Sequence, residues 1–207
     1  MNIITNNCLG GFIYRDILKT EYQNPFIWTG IEIEKFIDFV DNFDKIDFTN
    51  VMIEKEGEGL KNNFFTVIDD KYKFRNGHIV FNKNDNIPRI TNDSKHLDWV
   101  NVYYNKPWEY ILEKYNKRVK RMDNNIIVAI YAKDNEFTDQ LNKLADVCLK
   151  HNYPCLIFHS EKIKENSVTK SYVIKHKEPW IDNLYKHYQK EIEEFINENR
   201  DNNDKLD

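Results

Sequence analysis

Apolar positions along the chain fall into two spacings. NIIT (residues 2–5), IIVAIYA (126–132), PCLIFHS (154–160) and SYVIKH (171–176) are short apolar runs of strand length. Other segments repeat at helical spacing. After Gly10-Gly11, FIYRDILK places Phe12, Ile13 and Ile17 on one face. NPFIWTG is extended, because Pro25 stops an earlier helix. Thr29 and Glu32 then have capping-box spacing, and IEIEKFIDFVDNF lines up Ile33, Phe36, Ile37 and Val40.

Between Phe48 and Tyr104 the texture turns to short β-rich runs: FTNVMIE, FFTVI, KYKF, HIVF, IPRIT and WVNVYY. Asn76-Gly77, between KYKF and HIVF, predicts a two-residue hairpin. Pro107 opens a helix in which Trp108, Ile111, Leu112, Tyr115, Val119 and Met122 share a stripe. A helix over EFTDQLNKLADVCLK and a last one over 178–199 complete the series. Strand–helix order at both ends, with hairpins between, predicts a three-layer α/β/α fold with a mixed sheet. It is expected to form one domain over residues 1–200, with a polar, frayed tail at 201–207.

Composition narrows the function only a little. With 207 residues, 41% of them hydrophobic, the chain can bury a sizeable core. Thirty Lys and Arg against 34 Asp and Glu leave a net charge of −4, which offers nucleic acid no general attraction. Cys8, Cys148 and Cys155 have neither zinc-ligand spacing nor a disulfide framework, which suits a reducing cytoplasm. No run reaches the roughly 18 apolar residues of a membrane span, and no signal peptide opens the chain.

The opening turn, Asn6-Asn7-Cys8-Leu9-Gly10-Gly11, carries the first candidate chemistry. If NIIT is a central strand, the first amides of the next helix point out of the sheet's carboxyl end and suit an anion. Glycines admit a phosphate close to backbone, and Asn6 and Asn7 can donate beside it. It is neither a Walker loop nor a G-x-G-x-x-G turn, and a plain strand-to-helix turn reads the same residues equally well. Cys8 at a helix start would have a lowered thiol pKa, although no base is placed beside it.

NNCLGGFIYRDILKTEYQNPFIWTGIEIEKFIDFV resembles the start of a bacterial family, DUF1919, with matches at Asn7, Cys8, Gly10, Gly11 and Tyr14. Asn24-Pro25 stands where that family shows Ser-Pro. A second stretch, IPRITNDSKHLDWVNVYYNKPWEYILEKYNKRVKRMDNNIIVAIYAKD, matches at Tyr104, Arg118 and Arg121. There Tyr103 replaces a His, Tyr115 a Trp, and Lys117 the first Arg of the motif. The resemblance covers most of residues 1–135 and implies a three-layer α/β/α fold with a mixed sheet. It also implies a place in exopolysaccharide or capsule biosynthesis, with no catalytic residue to carry over.

NKRVKR puts Lys117, Arg118, Lys120 and Arg121 on one helix, where with Tyr104 they can clamp a diphosphate; a solvated helix face is the plain alternative. Asp69-Asp70 ends FFTVI and can hold Mg²⁺ or Mn²⁺ against a nucleotide diphosphate, or simply make a polar turn. His159 and Asp134 follow apolar strands and are the candidate general bases, with His96 and Asp98 as weaker ones. The aromatic residues can stack on sugars or bases, but at these spacings they fit a core.

These readings favour an enzyme of surface-polysaccharide assembly, a glycosyltransferase taking a nucleotide-activated sugar to a glycan acceptor. An acyl- or phospho-group transferase on the same glycans is the alternative enzyme. A non-catalytic binding module of the pathway is the alternative from another class.

Overall fold

The computed structural model describes residues 1–56, 63–76, 79–81, 88–90, 107–132, 137–174 and 181–203. Four strands, β1 (Asn2–Thr5), β8 (Ile126–Ala132), β9 (Cys155–His159) and β10 (Thr169–Val173), form a sheet in the order β1-β8-β9-β10. Every neighbouring pair in it is parallel. The near-continuous apolar runs of the central strands β8 and β9 follow from this, since both faces of the sheet are buried there, whereas the edge strand β10 alternates buried with more exposed positions.

One face carries Ile4, Val128, Ile130 and Ile157 into a core with α2 (Ile33–Asp41) and α4 (Thr138–His151). The other carries Ile3, Ile127, Ala129, Leu156 and Phe158 against α1 (Leu9–Phe12), α5 (Ile181–His187) and α6 (Gln189–Asn203). Helices cover both faces, so the three-layer α/β/α expectation holds. At about 25 cal/mol per Å², burying each large apolar side chain contributes roughly 1.5–3 kcal/mol.

A second sheet, β2 (Thr29–Gly30), β5 (Tyr72–Asn76), β4 (Asn63–Ile68) and β3 (Val51–Glu56), is antiparallel, in the order β2-β5-β4-β3. The fold is thus α/β with both pairing modes, and each mode keeps to its own sheet. The inner face of the second sheet meets α2 through an aromatic cluster. Phe39 lies 4.9 Å from Phe26, 5.0 Å from Phe74 and 5.1 Å from Tyr72, ring centre to ring centre and edge to face.

Three local expectations are corrected. Thr29 does not cap α2: it lies in β2, its hydroxyl donates to the Phe26 carbonyl, and Glu32 is the N-cap. The described parts of KYKF and HIVF do not pair as the expected hairpin. The two edges of β5 are taken by β2 and β4, and β6 (Ile79–Phe81) pairs instead with β7 (Pro88–Ile90). The last helix is divided at Tyr188 into α5 and α6. The expected WVNVYY strand lies outside the described residues.

Between α1 and α2 the path is irregular. The helix widens into a π-helix over Ile13–Leu18 and stops at Lys19, whose φ of 51° is left-handed. Trp28 is also left-handed, at φ 61°, a costly conformation for so bulky a residue. Its indole N–H donates to the Tyr22 hydroxyl at 3.0 Å, and its ring meets Phe12 edge-on. These two contacts hold the segment against that cost.

Candidate functional site

The opening turn closes on itself. The Asn7 side-chain oxygen accepts from the Leu9 amide at 3.0 Å, and the Thr5 hydroxyl accepts from the Gly10 amide at 3.4 Å. The Gly11 amide donates to the Cys8 carbonyl at 3.1 Å, so three donors expected to face an anion have acceptors within the fold. The Asn7 amide group reaches the Asn6 side-chain oxygen and the Tyr131 carbonyl, pinning the turn to β8. The Asn6 carbonyl accepts from Ile31.

The glycines answer to packing. A Cβ on Gly11 would lie 2.2 Å from the Trp28 ring, and one on Gly10 would lie 3.1 Å from the Thr5 hydroxyl. Burial pushes the Cys8 thiol pKa up, opposite to the shift a nucleophile needs.

Tyr14 belongs to the other end of β1. Its hydroxyl donates to the Met1 carbonyl at 2.8 Å and accepts from the Ile3 amide at 3.2 Å. Asn24 donates both to that hydroxyl and to the Ile3 carbonyl. Burial raises the Tyr14 phenol well above its ordinary pKa, so it remains a proton donor.

Here, at the amino end of the parallel sheet, a cleft of about 530 Å³ opens between the segment Tyr14–Tyr22 and α3 (Pro107–Val119) with the turn after it. Four of the predicted ligand residues, Tyr14, Lys117, Arg118 and Arg121, line it. Arg15, Lys19 and Lys114 add charge from both walls, so among the described residues six cationic side chains and one carboxylate, Glu21, line the cleft.

Each wall is fixed to the other. Arg118 is only 6% exposed, and its guanidinium stacks 4.7 Å above the Tyr22 ring. Arg121 donates to Glu21 at 2.6 Å and to the Lys117 carbonyl at 3.2 Å. Lys117 donates to Glu113 at 2.6 Å. Arg15 grips Asp16 through two bonds of 2.6 Å, which lowers that carboxyl's pKa.

The turn and the cleft do not meet. They lie at opposite ends of β1, whose four residues span about 13 Å at 3.3 Å each. A single diphosphate therefore cannot touch the Asn6–Gly11 amides and the α3 guanidinium groups at once.

His159 is also at the carboxyl end and fully buried. Its Nδ1–H donates to the Ala132 carbonyl at 2.6 Å, which leaves Nε2 facing the Thr138 hydroxyl at 3.1 Å. The single Thr138 proton serves either Nε2 or the Glu161 carboxylate, 3.0 Å from the same hydroxyl. Both ring nitrogens are engaged inside the fold.

Asp69 and Asp70 are the two central residues of the turn Ile68–Lys71 between β4 and β5, with φ of 54° and 51°, and the Lys71 amide closes that turn on Ile68. Two left-handed central residues make the type I′ geometry that suits antiparallel strands. Among the described residues no three His, Cys, Asp or Glu side chains gather as metal ligands. Asp134 and Tyr104 lie outside the described residues, as do His96 and Asp98.

Arg15, Lys19, Glu21, Tyr22 and Lys114 are cleft residues that pattern reading passed over. Arg15, Lys19, Glu21 and Tyr22 fall within RDILKTEY, a run of four charged residues and one aromatic that ends three positions before Pro25. Among the described residues no helix is long and apolar enough to cross a membrane.

Compared with known proteins, the chain matches the model of one family, described as Domain of unknown function (DUF1919), over residues 1–202. No curated protein and no solved structure matches it.

Proposed function

The chain belongs to the DUF1919 family, and on that premise we propose that the cleft between Tyr14–Tyr22 and α3 binds the diphosphate of a nucleotide-activated sugar for transfer to a glycan in surface-polysaccharide assembly. The observation that carries this reading is the lining: among the described residues, six cations and one carboxylate surround about 530 Å³, a volume in the range of small-molecule sites. Arg118 carries the most weight. A guanidinium buried against an aromatic ring has a fixed plane, and a fixed plane suits bidentate phosphate binding.

In the transfer step an acceptor hydroxyl attacks the anomeric carbon, its proton passes to an oxygen of the departing diphosphate, and the bond from that carbon to the donor phosphate breaks. The diphosphate leaves with the electron pair, and Arg118, Arg121 and Lys117 neutralise its growing charge. The positive field also raises the encounter rate of anionic donors in low salt. His159, sealed at the other end of the sheet, takes no part in this step.

A thermal-shift panel of UDP-, GDP-, CMP- and dTDP-sugars tests the reading. A donor at 100 times its Kd should stabilise the protein by about 2.7 kcal/mol, a rise of roughly 5–11 °C for a chain of this size. Arg118→Ala, checked for its fold by circular dichroism, should abolish the rise. A rise that survives in Arg118→Ala, or no rise with any donor, overturns the assignment.

A further inference from the structure

The cleft holds an anion of its own. Glu21 is 82% exposed, yet its carboxylate reaches 2.6 Å to the Arg121 guanidinium, across 100 positions of sequence. Its neighbour Tyr22 is the ring under Arg118, so the two residues address the two guanidinium groups expected to hold phosphate. Two features make the Glu21 contact easy to exchange. It joins solvent-exposed groups, and such pairs contribute little to stability. It also rises from the stretch between left-handed Lys19 and β2, where no regular element fixes the backbone of residues 20–23.

We propose that Glu21 is the built-in counter-anion of the cleft: its carboxylate occupies Arg121 until a phosphorylated ligand takes that guanidinium and displaces it. The inference rests on the cleft being the ligand site proposed above, and it deepens that reading from where a ligand binds to what the ligand must first remove. Competition of this kind has a defined sign. A ligand phosphate and the Glu21 carboxylate cannot share the inner edge of Arg121 without like-charge repulsion, so the native protein binds more weakly than the same cleft without that charge.

Glu21→Gln separates charge from shape. Glutamine keeps the length and a hydrogen-bond acceptor, so a residue that merely struts Arg121 would change binding little or weaken it. Binding of sodium pyrophosphate and of UDP is measured by calorimetry on the full chain for the native protein, Glu21→Gln and Arg118→Ala. The expected result is a Kd about three- to fivefold lower in Glu21→Gln for both probes, the scale set by an exposed ion pair.

If the native protein binds and Glu21→Gln binds no more tightly, the counter-anion role is overturned while the cleft assignment stands. If only Glu21→Gln binds measurably, the role is supported in its strongest form. If neither binds either probe, both the role and the cleft assignment fall. Arg118→Ala locates the binding: loss there ties the tightening to this cleft, and unchanged binding there overturns both.

Discussion

Replacing Gly11 by alanine isolates the reason for the paired glycines. The new Cβ would fall 2.2–2.5 Å from three atoms of the Trp28 ring system, a distance that no real contact sustains. Trp28 cannot swing away freely, because it is 8% exposed, packs edge-on against Phe12 and donates to the Tyr22 hydroxyl. Overpacking of this kind costs about 1–3 kcal/mol, and losing the indole hydrogen bond costs about 1 kcal/mol more. Against this, alanine in place of a helical glycine contributes about 1 kcal/mol.

The net is about 2 kcal/mol of destabilisation, or a melting point lower by about 4–8 °C for a chain of this length. Gly10→Ala is the control. Its Cβ meets Thr5 at 3.1 and 3.3 Å, which a small shift relieves, so it should stay within about 1 kcal/mol of the native protein. Differential scanning fluorimetry without ligand decides between the readings. A Gly11→Ala protein that melts with the native one refutes packing as the reason for Gly11 and returns the turn to ligand binding.

Two further outcomes follow from the hairpin and from the α2–α4 contact. Asp69→Asn with Asp70→Gly places the favoured type I′ pair in the β4–β5 turn, and should raise stability by about 0.5–1 kcal/mol in urea unfolding. A Mn²⁺-dependent rise in melting point confined to the native protein would instead assign those carboxylates to a metal. Lys150 and His151 both bond Asp41 and hold its carboxyl below the ordinary carboxylate range. A depressed native pKa gives stability that is complete above the unfolded value of about 3.9 and is lost as pH falls through the native value. Asp41→Asn should therefore differ most from the native protein near about pH 6, and the gap should narrow as pH falls below about 3.9. A gap that widens on acidification would overturn that pairing.

What pattern reading captured is what local physics decides. The apolar runs of β1, β8 and β9 announce a sheet buried on both faces, and the stripe Ile33–Phe36–Ile37–Val40 announces α2, because burial imposes period there. The basic helix was legible for the same reason, since Lys117, Arg118 and Arg121 recur at helical spacing.

The misses are tertiary. Gly10-Gly11 has the form of a phosphate turn, and only the arrival of Trp28, 17 positions later, gives Gly11 another purpose. Thr29 has capping spacing, but pairing with Asn76 draws it into β2. The second wall of the cleft has no period at all. Arg15, Lys19, Glu21 and Tyr22 are assembled by a π-helix and a left-handed Lys19, neither of which leaves a repeat in the sequence. The turn and the basic helix are separate candidates in the sequence, and the fold sets them at opposite ends of β1.

The register of β1 sets the order in which the protein can assemble. Residue 2 pairs with residue 126, so the first strand must wait for more than half of the chain before it gains a neighbour in its sheet. The entropy of closing so long a loop grows only slowly with length, but contacts this distant are formed late and slow the search. The cleft inherits that delay: Glu21 meets Arg121, and Tyr22 meets Arg118, only when α3 has been delivered to the head of β8. The α3 wall carries its cations on one local element, but the two walls face each other only after that step. A cleft with two charged walls therefore exists only in the completed fold, since it requires the first strand and the strand that pairs with it to have met.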